Sequence, residues 1–69
     1  MEKSNFGQFL RSLRDRRHMS LRDVEKECGI SNAYISQMEK GDRPPPRPDM
    51  LRKLARVYNV TVRELLLKA

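Results

Sequence analysis

Residues 21–40 read LRDVEKECGISNAYISQMEK, and the pattern of these residues is the clearest guide to the architecture of the 69-residue chain. It holds two short segments with helical periodicity, separated by a tight turn at Gly29, Ile30 and Ser31. Gly29 suits a left-handed residue after a helix end, and Ser31 suits the N-cap of the next helix. A short turn that contains glycine sets two helices at a steep angle. The stretch therefore predicts a helix-turn-helix over about residues 20–40.

The second helix of this stretch, residues 32–40, has two contrasting faces. At about 100° per residue, Ile35, Met38 and Glu39 fall on one side, which we expect to face the core. The opposite side is small and uncharged except for its lysine, and comprises Ala33, Ser36, Gln37 and Lys40, with Asn32 and Tyr34 at its flanks. A helix made only for solubility normally carries Glu and Lys on its outer side.

This outer face has the chemistry of base recognition. Asn and Gln can each form two hydrogen bonds with adenine, and small side chains let a helix approach a thymine methyl group. The pattern favours major-groove readout of double-stranded DNA by five residues, Asn32, Ala33, Tyr34, Ser36 and Gln37. A partner-helix interface or chance composition would give a similar face, so these two alternatives stay open.

Positive charge lies on both sides of this stretch. The chain has a formal net charge of +6 and a pI near 10.1, which favours a polyanionic partner. Residues 21–40 hold three basic and four acidic residues, whereas both flanking segments are net positive. Phosphate contacts provide affinity and base contacts provide specificity, so this division suits a sequence-specific binder. The residues predicted to contact phosphates are Ser20, Ser31, Lys40, Arg43 and Arg47; some cations of the chain could instead belong to a solvated helix face.

Glu39 lies at the edge of the buried face, where a lone carboxylate is costly. Arg14 lies on the first predicted helix beside the apolar Leu10 and Leu13. We therefore predict a structural ion pair between Arg14 and Glu39 that holds the second helix of the motif to the scaffold. A solvated Glu39 at a helix end is the alternative.

The remaining segments also have helical periodicity. A first helix is predicted over residues 5–17, and Ser20 with Asp23 forms a capping-box pattern before the second helix. Pro48 suits the first position of a fourth helix, Asn59 its end, and Thr61 with Glu64 a second capping box. No segment alternates with period two. The prediction is an all-α, five-helix single domain over residues 1–69.

Other functional classes find little support in the composition. The single cysteine, Cys28, excludes an intrachain disulfide and fits a cytoplasmic location; it is expected to pack in the core. With one histidine, His18, the chain lacks the ligands of a structural zinc site. No catalytic residue, metal site, cofactor or membrane span is predicted.

The segments SLRDVEKECGISNAYISQMEKGDR and MLRKLARVYNVTVRELL resemble the phage-repressor-like (Xre-type) helix-turn-helix family. The resemblance implies a compact lambda-repressor-like domain of a transcriptional regulator, with a repressor role expected. It also implies a homodimer on operator DNA, with Tyr58, Val62 and Leu67 as candidate dimer residues, and a further C-terminal domain. Glu25 replaces the small residue usual in the family, so we expect it to point outward or to meet a cation.

The alternative function is a protein-interaction module, such as an antitoxin or adaptor on the same scaffold.

Overall fold

The structure, a computed structural model, describes residues 5–44 and 46–68. Its helices are α1 (Asn5–Arg16), α2 (Leu21–Cys28), α3 (Asn32–Lys40), α4 (Pro48–Tyr58) and α5 (Val62–Lys68). No strand occurs in the described ranges. The predicted all-α, five-helix class is confirmed. The first helix ends at Arg16 rather than at residue 17, because His18 takes a left-handed conformation with φ 56° and the backbone N–H of Met19 turns back to the Arg14 carbonyl.

The ends of α2 follow from local hydrogen bonds. The Ser20 hydroxyl accepts from the Asp23 N–H at 3.0 Å, and the Asp23 carboxylate accepts from the Ser20 N–H at 2.8 Å. This is the predicted capping box. Gly29 ends the helix at φ 79°, where a residue with a Cβ is strained. The Ser20 backbone N–H lowers the pKa of the Asp23 carboxyl group, since it bonds to the charged form.

Local signals also set the bounds of α4 and α5. Pro48 occupies the first turn of α4, and Asn59 ends that helix in the left-handed conformation at φ 57°. The Thr61 hydroxyl accepts from the Glu64 N–H, while the Glu64 carboxylate accepts from the Thr61 N–H. Both features agree with the sequence prediction.

The core draws side chains from every helix and from the α2–α3 turn. The side chains with no exposed area are Leu10, Val24, Ile35, Leu54 and Leu65. Ile30 in the turn is 4% exposed, and Cys28 is half-buried against the core. Tyr58 is 3% exposed, so its candidate role in a dimer interface is wrong: the ring is already covered by its own chain.

In the described ranges, no helix is long and apolar enough to cross a membrane.

Gly7 lets α1 approach the C-terminal end of α3 more closely than any other residue would. A Cβ at this position would lie 2.5 Å from the Glu39 carbonyl oxygen, and closer still to that of Met38. Backbone oxygens cannot move aside without shifting the helix. The crossing of α1 over α3 therefore depends on a missing side chain, which the apolar periodicity of α1 did not reveal.

We expect Gly7→Ala to destabilise the fold by about 1–3 kcal/mol, the usual range for an overpacked core. Alanine has the higher helix propensity by about 1 kcal/mol, so the steric effect must exceed that gain. The measurement is the free energy of unfolding in urea. Gln8→Ala is the matched control on the exposed side of the same helix, and equal stability of the two variants would contradict the close approach.

The capping box of α2 predicts an acid-sensitive contribution to stability. The pKa of Asp23 is lower in the folded chain than in the unfolded chain, so the folded state gains stability above the unfolded pKa. That gain is lost as the pH falls through the folded pKa. We expect Asp23→Asn to be less stable than the parent chain at neutral pH, and the difference to shrink on acidification. A difference that stays constant with pH would refute the assignment.

Candidate nucleic-acid interface

The inner side of α3 is held firmly in the core. Ile35 is fully buried and Met38 is 1% exposed. The Ser31 hydroxyl accepts from the Tyr34 N–H at 3.1 Å, and Gly41 ends the helix at φ 79°. These contacts fix both ends of the helix and its rotation about its own axis. The outer face is thereby turned to the surface of the domain.

Arg14 and Glu39 form a two-bonded ion pair between α1 and α3. Arg14 Nε lies 2.7 Å from Glu39 Oε2, and Nη2 lies 2.9 Å from Oε1. The remaining Nη1 donates to the Met19 carbonyl at 3.0 Å. The two side chains are 12% and 6% exposed, and the Glu39 carboxylate raises the pKa of the Arg14 guanidinium. These are the two residues that the sequence argument pairs, and they join the C-terminal end of α3 to the scaffold.

The Tyr58 ring belongs to the same buried region. Burial raises the pKa of its hydroxyl group above the ordinary value, and the negative charge of Glu39 adds to the effect. The hydroxyl has no hydrogen-bond partner among the described residues. A buried, unpaired hydroxyl costs free energy, so the ring is retained here for its packing.

The outer face of α3 carries the side chains predicted to contact bases. Ala33 and Gln37 are exposed, and Asn32, Tyr34 and Ser36 are partly exposed. Asn32 is already engaged, since its Nδ2 donates to Glu25 Oε1 at 2.7 Å. Glu25 thus finds an amide partner on the next helix, which the sequence analysis did not anticipate.

Arg43 joins this face from the loop after α3. Its Nε donates to Gln37 Oε1 at 2.5 Å, and its guanidinium carbon lies 4.5 Å from the centroid of the Tyr34 ring. Tyr34 and Gln37 are one helical turn apart, so the guanidinium covers one turn of the outer face. The sequence predicts only a phosphate contact for Arg43, and the contacts with Gln37 and Tyr34 were not predicted.

The other predicted phosphate contacts lie around this face. The Ser20 and Ser31 oxygens accept the capping bonds of α2 and α3, which leaves each hydroxyl hydrogen able to donate. Lys40 is exposed in the last turn of α3, and Arg47 is exposed just before α4. Their positions suit phosphates on either side of a groove, and their roles stay predictions.

Arg11 is a candidate that the sequence analysis missed. It lines a small surface cleft together with Ser36, Lys40 and Arg14. Its spacing of three residues from Arg14 was the available signal, because residues three apart share one side of a helix. The cleft adds a second cation beside Lys40.

A nearly neutral, polar helix face between basic flanks, carried by a second helix set across a glycine turn, defines a helix-turn-helix DNA-binding domain. The family model of this class, described as a helix-turn-helix domain, matches residues 5–67. The chain belongs to this family, in its phage-repressor-like (Xre-type) branch.

HTH-type transcriptional regulators are similar to the chain in sequence. An uncharacterized HTH-type transcriptional regulator of Mycobacterium tuberculosis is 38% identical over 63 residues, which cover 91% of this chain and 44% of that protein. The HTH-type transcriptional repressor RghR of Bacillus subtilis is 35% identical over 65 residues, 94% of this chain and 48% of the repressor. The chain thus spans less than half the length of these relatives.

The fold also matches that of SinR of Bacillus subtilis, a master regulator for biofilm formation, in its crystal structure with DNA. The TM-score is 0.83 at 28% identity, and the match covers 88% of this chain and 97% of the SinR chain. The five-helix, lambda-repressor-like class predicted from the sequence is confirmed.

Removal of the buried guanidinium by Arg14→Ala is expected to destabilise the fold by about 3–5 kcal/mol, because Glu39 would be left charged and unpaired. Arg11→Ala is the matched control. Arg11 is 67% exposed and lies 3.8 Å from Asp15, so its removal should cost less than about 1 kcal/mol. Urea unfolding of both variants measures the difference in the free energy of unfolding. Similar losses for the two variants would show that the Arg14–Glu39 pair contributes no more to stability than an exposed ion pair.

Proposed function

We propose that this chain binds double-stranded DNA in a sequence-specific manner as the DNA-binding part of a transcriptional regulator of the repressor type. The activity is binding rather than catalysis, with genomic DNA in the cytoplasm as the ligand. In this proposal α3 lies in the major groove, where Asn32, Ala33, Tyr34, Ser36 and Gln37 meet base edges. Ser20, Ser31, Lys40 and Arg47 contact the phosphates on either side.

The observation that carries the proposal is the contrast between the two sides of α3. One side is locked into the core through Ile35, Met38 and the Arg14–Glu39 pair. The other presents small and amide side chains on a segment with no excess of positive charge. Rigid presentation of hydrogen-bonding groups lowers the entropic cost of reading bases. The DNA complex of SinR and the repressor role of RghR support the same assignment.

A homodimer on a two-fold symmetric operator is part of the proposal. Two half-sites about 34–36 Å apart would each receive one α3 helix. Leu66 and Leu67 on α5 are 55% and 77% exposed, and two neighbouring apolar side chains of this kind suit a contact between two copies. Val62 and Leu67 remain candidates for this contact, whereas Tyr58 is excluded by its burial.

A salt titration tests the proposal. After selection of a preferred duplex from a random library, the logarithm of the binding constant should fall linearly with the logarithm of salt concentration. The slope should be about −0.9 for each phosphate neutralised, because bound cations release condensed counterions. Arg47→Ala should reduce the steepness of this slope by about one phosphate, and Gln8→Ala should leave it unchanged.

The opposite result would favour a protein-interaction module. If the random library yields no preferred duplex, and the chain instead associates with a protein independently of salt, DNA readout is refuted. In that case the exposed leucines of α5 become the first surface to examine.

A further inference from the structure

We propose that Arg43 determines sequence specificity by reading a guanine in the major groove, with Tyr34 and Gln37 as its positioning residues. The proposal rests on the proposed function, since it requires α3 to lie in the groove. It assigns Arg43 to a base edge instead of the phosphate predicted from the sequence. These three residues are called the Arg43 cluster below.

The Arg43 cluster leaves one edge of the guanidinium available. Nε donates to Gln37 Oε1, and one face of the group lies over the Tyr34 ring. The two Nη groups at the far end form a fork of donors, which has no hydrogen-bond partner among the residues that the structure describes. Such a fork matches the N7 and O6 acceptors that guanine presents in the major groove.

The hydrogen bond from Arg43 sets the orientation of the Gln37 side-chain amide. Arginine Nε–H can only donate, so Gln37 must turn its oxygen towards Arg43. Its Nε2 group, with two hydrogens, then faces away from the guanidinium. The available edge of the Arg43 cluster therefore consists of donors, which suit acceptor-rich base edges. Adenine and cytosine each present an amino donor in the major groove and fit this edge less well.

The position of Arg43 favours a base over a phosphate. Its guanidinium lies across Tyr34 and Gln37, on the same face of α3 that carries the other predicted base contacts. The fork could also bind a phosphate, but its two partners hold it beside side chains that are proposed to meet base edges. Arg47, by comparison, is an exposed arginine of the same loop at the start of α4. The loop thus carries two arginines in different positions, and we assign them different roles.

Preorganisation strengthens the assignment. An exposed arginine normally loses much side-chain freedom when it binds, which weakens its net contribution. Stacking on an aromatic ring and a hydrogen bond to Gln37 restrict Arg43 before DNA arrives. The guanine should lie next to the base pair that Gln37 contacts, because the two side chains are bonded to each other.

Selection of duplexes from a random library tests the proposal with the full chain and three variants. The unmodified chain should enrich one guanine at a constant position in each half-site. Arg43→Ala should lose the preference for that guanine by about 5- to 150-fold and keep the preferences elsewhere. Arg47→Ala is the matched control, and it should weaken all sequences alike. Gln37→Ala should alter the preference at the neighbouring base pair and also weaken the preference for the guanine, because Arg43 loses the hydrogen bond that positions it.

A chemical substitution in the DNA gives an independent measurement. Replacing the selected guanine with 7-deazaguanine removes the N7 acceptor without changing base pairing. Affinity of the unmodified chain should fall, whereas affinity of the Arg43→Ala variant should not change. An equal loss for both proteins would overturn a direct contact between Arg43 and the base.

The positioning role of Tyr34 is tested by rescue. Tyr34→Leu should reduce discrimination between guanine and the other bases, and Tyr34→Phe, which keeps the ring, should restore it. Loss of affinity without loss of discrimination in Tyr34→Leu would overturn the positioning role.

Two failures are distinguishable. If the unmodified chain enriches no sequence at all, the proposed function fails, and this inference fails with it. If it enriches a motif that Arg43→Ala leaves unchanged apart from a uniform loss of affinity, the function stands, and Arg43 contacts a phosphate.

Discussion

The Arg14–Glu39 ion pair is the interaction on which the position of α3 depends. Its partners are 25 residues apart, and they join the first helix directly to the last turn of the helix proposed to enter DNA. Taking two charges out of water is costly, and the two parallel bonds with the Met19 contact offset that cost. An apolar pair of side chains could fill the same space, but it would let α3 slide along α1. The hydrogen bonds of the ion pair are directional, and the Gly7 backbone lies close against the same turn of α3. Together these two contacts permit one orientation of α3.

Short helices make this anchoring necessary. The helices α2, α3 and α5 have eight, nine and seven residues, lengths at which an isolated helix is unstable in water. Each begins beside a hydroxyl residue that bonds back to its first turn. The caps fix where each helix starts, while packing on the core supplies the stability. A change in a cap or in the core packing therefore alters the direction in which the outer face of α3 points.

Local signals explain how much the sequence could predict. The two capping boxes, the turn at Gly29 and the five-helix order depend on neighbours within a few residues, so composition and spacing reveal them. The pairing of Arg14 with Glu39 followed from angular position on two helices. Gly7, the Asn32–Glu25 bond and the contacts of Arg43 depend on how separate elements meet. No periodicity encodes those distances. Tyr58 is a different case, because only the family analogy put it at a dimer surface, and its own chain covers it.

The outer face of α3 has opposite hydrogen-bonding character at its two ends. At the N-terminal end, Asn32 donates to the Glu25 carboxylate, which places a negatively charged acceptor beside this end of the face. At the C-terminal end, Gln37 and Arg43 together present donors. A base edge rich in amino groups suits the first end, and one rich in carbonyl and N7 acceptors suits the second. If α3 lies in the major groove as proposed, reversing its direction would set donors against donors and the carboxylate against acceptors. The order of groups along the helix would then specify the direction in which a half-site is read, and the basic flanks, which attract either direction equally, would contribute affinity without that choice.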